Sequence, residues 1–565
     1  MKNFKYIIAA GMALMLGSCT KDLDQAPKGA LREEALNTPK AAEGLVVAAY
    51  AMMDNVYQSN DFAPISAIFN PASNWSYSDV RSGDAYKGGG GTGDIAPLGN
   101  MELGNVTTDN FLIARKWRAL YIGVSRCNKA LKSLNSLSDA QFPLKARRIA
   151  EVRVLRAHYY FDLKRNFRTF PYIDESVPLG EEGKVPNNLT EQQLWDKIIA
   201  DIQAGINIPY DGQDKGRINK YVAYAYLTKA YMFTKKYTEA LASANEVINS
   251  GKYSLLSNLE SLYSDPLVEH NGENILAIET SVNDGATLNG NIDWGDLLTS
   301  PSGPAYGGGD GFHRPSQNLV NSFKVDPITG LPLLDTYNNS DLTPTDVTTP
   351  VDPRLDHAIG RPGITWKDYK GEVYSVSWAR DANTYGPYSK KKNLISPNST
   401  LRAAGGFPWA RGALNFPFIK YSDVLLWKAE ALIELNQNLD EARELINQVR
   451  TRAKNSPVVK KLDGVTPAAN YVIGTYPALG WTQDYARKAL RFERRLELCL
   501  EGHRFYDLVR WNAATDFLNN YYQTEGIKRP YLAVGNFVAP KLNYLPIPQV
   551  EVDLARGGLK QDPNY

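Results

Sequence analysis

Two textures alternate along this chain: apolar residues striped at helical spacing, and stretches with no sustained period. The first stripe follows Thr38-Pro39, a capping residue with proline at the first helical position, and runs through Ala42, Leu45, Val46, Ala49, Tyr50 and Met53. A second begins at Trp117 and continues through Tyr121, Val124, Cys127 and Leu131. Its partner, from Leu144 to Phe167, sets Glu151, Arg153 and Arg156 among Val152, Leu155, Tyr159, Tyr160 and Leu163, which predicts one buried side with charges pairing at its edge. A helix from about Thr190 to Ile206 opens on a capping box, Thr190 with Gln193. Two further stretches read as paired helices. Ala223, Leu227, Ala230 and Tyr231 lead through Lys236-Tyr237 to Ala240, Ala244 and Ile248; Lys420 to Ala453 turns at Gln437-Asn438 and sets Ala442, Ile446 and Val449 on its second helix. Small residues at these positions let paired helices approach closely.

The last stripe, Asp484 to Trp511, organises the rest. At about 100° per residue, Phe492, Leu496, Cys499, Leu500, His503 and Tyr506 share one arc, predicting one long helix that is bent or closely approached at Gly502. Arg494 with Glu497, Glu501 with Arg504, and Arg504 with Asp507 stand three apart, so each pair can bridge on a helix surface. With Glu493 they form a structural ion-pair network, since no nucleophile lies among them.

The aperiodic texture fills roughly 62–105 and 254–414: Gly, Pro, Asn, Asp and aromatics, with a short strand signal at Ile275-Leu276-Ala277-Ile278. Gly88, Gly90 and Gly93 satisfy G-x-G-x-x-G, but no apolar strand precedes them and Asp94-Ile95-Ala96-Pro97 opens no clear helix, which argues against a dinucleotide site. Long loops of this kind are often functional.

Composition narrows the function. The excess of 63 basic over 61 acidic residues is accounted for by Lys2 and Lys5 alone, and no basic block exists, which argues against nucleic acid as a partner. His158, His270, His313, His357 and His503 are scattered, without H-E-x-x-H, C-x-x-C, G-x-S-x-G or a phosphate loop. No metal or cofactor is expected, although loop carboxylates and carbonyls leave a structural Ca²⁺ open. Cys127 and Cys499 lie on apolar faces and read as inert buried thiols. Asp352, Asp356 and Glu372 could serve as a hydrolytic pair; Asp352-Pro353-Arg354 reads more readily as a turn held by a salt bridge.

At the N-terminus, Lys2 and Lys5 precede an apolar run, Tyr6 to Leu16, with the charge order of a signal peptide and too short to span a bilayer. Leu16-Gly17-Ser18-Cys19 resembles a bacterial lipobox, so 1–18 is expected to be cleaved and Cys19 to carry acyl chains such as palmitate. Thr20-Lys21-Asp22-Leu23-Asp24 resembles the acidic export signal of Bacteroidetes surface lipoproteins. Residues 19–37 then form a lipidated tether and 38–565 one domain.

The residues E-R-x-x-E-L-x-x-E-G-x-R-x-x-D-L-x-R-W, Glu493 to Trp511, resemble the C-terminal signature of the SusD/RagB family, surface lipoproteins that hold nutrients for a TonB-dependent transporter. So do Ala150 to Leu163, Pro315 to Phe323, Val351 to Gly363 and the block at Lys420, where arginine is usual. The paired helices are loosely similar to tetratricopeptide hairpins. The resemblance implies a mainly α SusD-like fold, about four interrupted TPR-like helical hairpins (roughly 110–253 and 415–512) carrying a loop-rich ligand-binding part with minor β. It also implies a lipid-anchored position at the outer membrane, facing the exterior, and a SusC-like TonB-dependent partner. The function it points to is non-catalytic glycan binding and delivery; oligopeptide binding by the same lid mechanism and surface glycan hydrolysis are the alternatives.

Sugar sites join an aromatic platform to polar side chains, which nominates Trp75, Tyr77, Trp294, Tyr306 and Trp366, each near Asn or Asp in the loops. Trp117, Trp195 and Trp427 sit on helices and read as core; Trp378 and Trp409 fit either role.

Overall fold

In the computed structural model the described residues are 36–57, 69–210, 215–264, 272–285, 290–403 and 409–565. The leader, Cys19, most of the tether and His270 lie outside them. The fold is mainly helical with minor β, as the stripes predict.

Helix α1 (Pro39–Ala51) starts where Thr38 accepts a hydrogen bond from the Ala41 N–H, 3.2 Å, and buries Ala42, Val46 and Ala49. It packs on α2 (Phe111–Asn135) and α3 (Lys145–Asn166), themselves a hairpin. Helix α4 (Glu191–Gln203) has the expected Thr190–Gln193 capping box and fits against α3 and α5 (Lys220–Phe233). The pair α5 and α6 (Tyr237–Ile248), and the pair α7 (Tyr421–Glu434) and α8 (Leu439–Asn455), are the two hairpins read from the sequence. Helix α6 packs directly on α7, so two hairpins separated by the whole loop-rich insertion share one interface. Small residues make that approach possible: Ala240, Ala244, Ala429 and Ala431 are all fully buried. Among the described residues no helix is long and apolar enough to cross a membrane.

The predicted long helix from Asp484 to Trp511 is two. Helix α9 (Gln483–Glu497) stops, the chain turns with Leu500 and Gly502 at positive φ (62° and 77°), and α10 (Arg504–Arg510) resumes before α11 (Ala514–Lys528). The break follows from tertiary contact. A Cβ on Gly502 would lie 1.8 Å from the Ser73 carbonyl oxygen, so the 69–82 segment passes where a continuous helix would run.

The strands form only two-stranded antiparallel pairs: β1 (Ala85–Gly88) with β3 (Phe312–Pro315), β2 (Asn274–Ile278) with β8 (Phe416–Lys420), β4 (Ile359–Gly360) with β7 (Ser389–Lys390), and β5 (Thr365–Trp366) with β6 (Tyr369–Val373). They staple the irregular insertion to itself and to the helices. In the 62–105 stretch, read from sequence as loop, β1 precedes the glycine run and a helix at Ala96–Glu102 follows it. Because β1 pairs antiparallel with a strand more than 200 residues away, this is not a βαβ unit.

None of the three predicted local pairs, Arg494 with Glu497, Glu501 with Arg504 and Arg504 with Asp507, forms among the described residues; apart from Asp484 with Arg487 and Asp507 with Arg510, the charges of α9 and α10 reach outward. Glu493 receives Arg354 (2.6 Å) and Arg450 (2.9 Å); Glu497 receives Arg354 (3.1 Å) and Arg452. Glu501 receives Lys420 (2.8 Å) and Lys392, so the lysine that replaces the usual arginine still makes an ion pair. Arg494 meets Asp507 across the break at 2.9 Å. Arg504 has no ion pair among the described residues and lies 4.8 Å over the Phe517 ring. Burial would raise the Glu497 carboxyl, but Arg452, Lys420, Arg354 and Lys392 outweigh it and hold it at about 2. Helix α9 and the turn that follows it thereby tie α8, β8 and the insertion together.

Candidate functional site

The five nominated aromatics form no outward ledge. Trp75, Tyr77, Trp294, Tyr306 and Trp366 are all at most 5 % exposed. Trp75 stacks on His313 (5.2 Å) and its indole N–H faces the Gly295 carbonyl at 3.4 Å. The Tyr77 hydroxyl lies 2.8 Å from the carbonyls of Phe69 and Leu112 and ties the 69–82 segment to α2. Trp294 packs with Ile292 and Leu297 in a small core of its own. Loops this long need internal cores to be ordered, and large aromatics supply most apolar area per residue.

Tyr306 and Trp366 hold up a different surface. The Trp366 indole N–H points to the Tyr306 hydroxyl at 3.3 Å, and that hydroxyl donates to the Ile395 carbonyl at 2.7 Å. Trp366 packs on Tyr374 (5.7 Å, stacked) and on Trp378 (5.7 Å); Tyr374 meets Trp378 edge-on at 5.2 Å. Trp378, itself only 2 % exposed, closes this cluster on the side of Gly303. It forms the floor of a shallow cleft of about 290 Å³, lined also by Ser302, Gly303, Pro304, Gly307, Gly308, Glu372 and Ser377.

Two close approaches shape the cleft. A Cβ at Gly303 would fall 2.3 Å from the Trp378 ring, and one at Gly308 would fall 2.7 Å from the Trp409 ring, so each indole lies flat against glycine backbone. Trp409 is half-buried, leaving part of its ring open. The loops are held by the Ser302 N–H donating to the Trp378 carbonyl (2.9 Å) and the Gly311 N–H donating to Ser300 (2.9 Å). The β1–β3 ladder continues through the Gly89 N–H to Gly311, 2.9 Å, and brings the 88–94 loop alongside.

The edge of this surface is polar. Ser302, Ser377 and Glu372 are exposed. Arg380, 39 % exposed, stands between Asp94 (3.6 Å) and Asp310 (3.8 Å), loose distances that leave guanidinium donors turned to solvent. Burial pushes the Asp310 carboxyl up, with Arg380 and Arg411 opposing it. Asp94 also accepts from the Gly90 N–H at 2.8 Å. The open part of the Trp409 indole, beside hydroxyl, carboxylate and guanidinium groups, can stack on a ring while those groups hydrogen-bond its rim. The sequence offered one signal for this place, the run Gly307-Gly308-Gly309-Asp310-Gly311, of which Gly307 and Gly308 lie against Trp409.

The carboxylates considered for hydrolysis are divided. Asp352 is buried against Arg354 (2.8 Å) and Asp356 against Arg361 (2.7 Å), whereas Glu372 is exposed at the cleft. Among the described residues no group of His, Cys, Asp and Glu is arranged to hold a metal ion.

Comparison with known proteins agrees with this architecture. The profile of the SusD family matches residues 273–565, and a second, described as starch-binding and associating with the outer membrane, matches 24–232. Two SusD-like proteins of Formosa agariphila are each 24 % identical, over 541 residues (92 % of this chain, 94 % of the relative) and over 446 residues (76 % of each). Among solved structures, a SusD homolog from Bacteroides thetaiotaomicron superposes with a TM-score of 0.70 at 20 % identity, covering 94 % of this chain and 98 % of that one. A laminarin-binding SusD-like protein superposes at 0.66 with 24 % identity, covering 94 % and 100 %. Surface glycan-binding protein A from Bacteroides thetaiotaomicron, in complex with laminarihexaose, gives 0.67 at 21 %, covering 94 % and 100 %. The family profile takes in more than half of the sequence and includes the α7–α10 frame with its ion pairs, and on that ground the chain belongs to the SusD family.

Proposed function

We propose that this protein binds glycan at the cell surface without cleaving it, holds the chain at the cleft beside Trp409, and passes it to a SusC-like TonB-dependent transporter. One observation carries the reading: the partly open Trp409 indole, laid on the Gly308 backbone, beside a cleft edged by Ser302, Ser377, Glu372 and Arg380 and backed by the buried Trp378. A sugar ring has an apolar C–H face and a rim of hydroxyls, which match a fixed indole and a mixed donor and acceptor edge. A shallow, open cleft suits a segment of a long chain better than an enclosed monosaccharide. The laminarin and laminarihexaose in the names of two structural relatives support glycan as the ligand class. Cys19, as the lipidated residue, would keep the protein at the outer membrane.

Calorimetric titration of the chain from Thr20 onward with laminarihexaose and a panel of other oligosaccharides and oligopeptides tests this. Saturable glycan binding with no new reducing ends, and co-purification with a barrel transporter from membranes, is the expected result. Binding of oligopeptides but of no glycan would replace the ligand, and accumulation of reducing ends would replace the non-catalytic reading. Cys19→Ala is expected to release the protein from the membrane fraction.

A further inference from the structure

A second pocket, of about 400 Å³, is built from none of the cleft's loops. It lies among α9, α10, α11 and the loop at Tyr337, and its lining carries five cationic side chains against one carboxylate, Asp484. Three of the five are matched where they stand. Arg487 meets Glu434 and Asp484, each at 2.8 Å; Lys488 meets Asp335 at 2.7 Å; Arg495 meets Asp84 at 2.7 Å.

The other two are not. Arg491 comes no nearer than 3.9 Å to Glu434 and lies 5.0 Å over the Trp511 ring. Arg504 has neither ion pair nor hydrogen bond among the described residues; it lies 4.8 Å over Phe517, a ring that Arg495 approaches to 5.4 Å. The Nε atoms of Arg491 and Arg504 are closed off from solvent with no acceptor. Burial, with Arg495 beside it, pushes Arg504 down to about 10, and burial lowers Arg491 too. Both side chains are half-buried, and a guanidinium partly removed from water without a close acceptor is unfavourable. Asp84 and Asp507 offset part of the charge on Arg504, and Glu430 and Glu434 part of that on Arg491, but none of these carboxylates makes a hydrogen bond to either guanidinium among the described residues.

We propose that this pocket is an oxyanion site, in which Arg491 and Arg504 hold a sulfate, phosphate or carboxylate group of a small ligand whose body rests against Tyr337 and Phe517. Planar guanidinium donors match the oxygens of such groups, and aromatic faces already orient both arginines. The volume falls among those of small-molecule pockets, about 300–1,000 Å³, which favours a small ligand over a protein segment.

The test is calorimetric titration of the chain from Thr20 onward with sodium sulfate and with inorganic phosphate, at an ionic strength held constant with sodium chloride. Wild type is expected to bind saturably, with Arg504→Met and Arg491→Gln each weakening binding by at least about tenfold. Lys461→Gln, which removes an exposed cation elsewhere, leaves it unchanged. Glucuronate titrated beside glucose shows whether a sugar-borne carboxylate is taken as well as the free ion; glucose binding as strongly as glucuronate there would count against the site. Heats indistinguishable from chloride, or equal affinity in wild type and both variants, overturn the proposal. If Arg504→Met does not fold, Arg491→Gln and a selenate-soaked crystal of wild type decide: an anomalous peak at Arg491 and Arg504 upholds the site, and its absence sinks it.

Discussion

Replacing Glu497 by glutamine keeps the volume of a fully buried side chain and removes its charge from between Arg354 and Arg452. Neither arginine is stranded: Arg354 keeps Asp352 (2.8 Å) and Glu493 (2.6 Å), and Arg452 keeps Glu273 (3.0 Å). The loss therefore belongs at the lower end of the roughly 3–5 kcal/mol that follows removal of one partner from a buried ion pair. Linkage leads to a similar figure. The carboxyl is held at about 2 against an ordinary 4.5, and at about 1.4 kcal/mol per pH unit this difference corresponds to roughly 3 kcal/mol. Because the folded value is the lower one, this stabilisation is complete above about pH 4.5 and is lost as pH falls toward 2. Urea unfolding followed by tryptophan fluorescence should show Glu497→Gln less stable than wild type by about 3 kcal/mol at pH 7, the gap narrowing to about half by pH 3. A gap under about 1 kcal/mol at pH 7, or one that does not change between the two pH values, would refute the assignment of Glu497 as a charged hub.

Three further outcomes are expected. Trp366→Ala should destabilise the fold by about 3–5 kcal/mol in denaturant unfolding. Trp409→Ala, at a half-buried ring, should instead weaken glycan binding about tenfold with little change in melting temperature; the reverse pattern would exchange their roles. Gly502→Ala should lower stability by more than about 2 kcal/mol in the same assay, since the new methyl meets the Ser73 carbonyl oxygen at 1.8 Å. Cys127 and Cys499 should not react with a thiol reagent in the native protein at pH 8, because both are buried and burial pushes the Cys499 thiol up to about 12; labelling should appear only on unfolding in urea.

The α9–α10 break and the fate of the loop aromatics share a cause. Helical periodicity from Asp484 to Trp511 is real, and of the side chains it groups Phe492, Leu496, Cys499, Leu500 and Tyr506 are buried, with His503 half-buried. What interrupts it is the backbone at Ser73, more than 400 residues away in sequence. Likewise Asp and Asn beside Trp75, Trp294 and Trp366 marked polar loops, yet those loops fold over their own indoles. A side chain's direction in an irregular segment depends on which other segment covers it, and no local period reports that.

The amino-acid sequence alone determined the helices, their hairpin pairing and the family, because apolar spacing at 3.6 residues, caps such as Thr38 and Thr190, and charges at helix intervals act over a few residues. Tertiary structure decided which indole faces out. Of the two that were ambiguous in sequence, Trp409 stays partly open against Gly308, whereas Trp378 is buried under Gly303 and joins Trp366 and Tyr306 in the support beneath. It also decided the partners of the charges, sending Glu493 and Glu497 to arginines more than 40 residues away rather than to near neighbours. A buried carboxylate pairs with whatever cation packing brings within about 3 Å, and that distance is set by the whole fold.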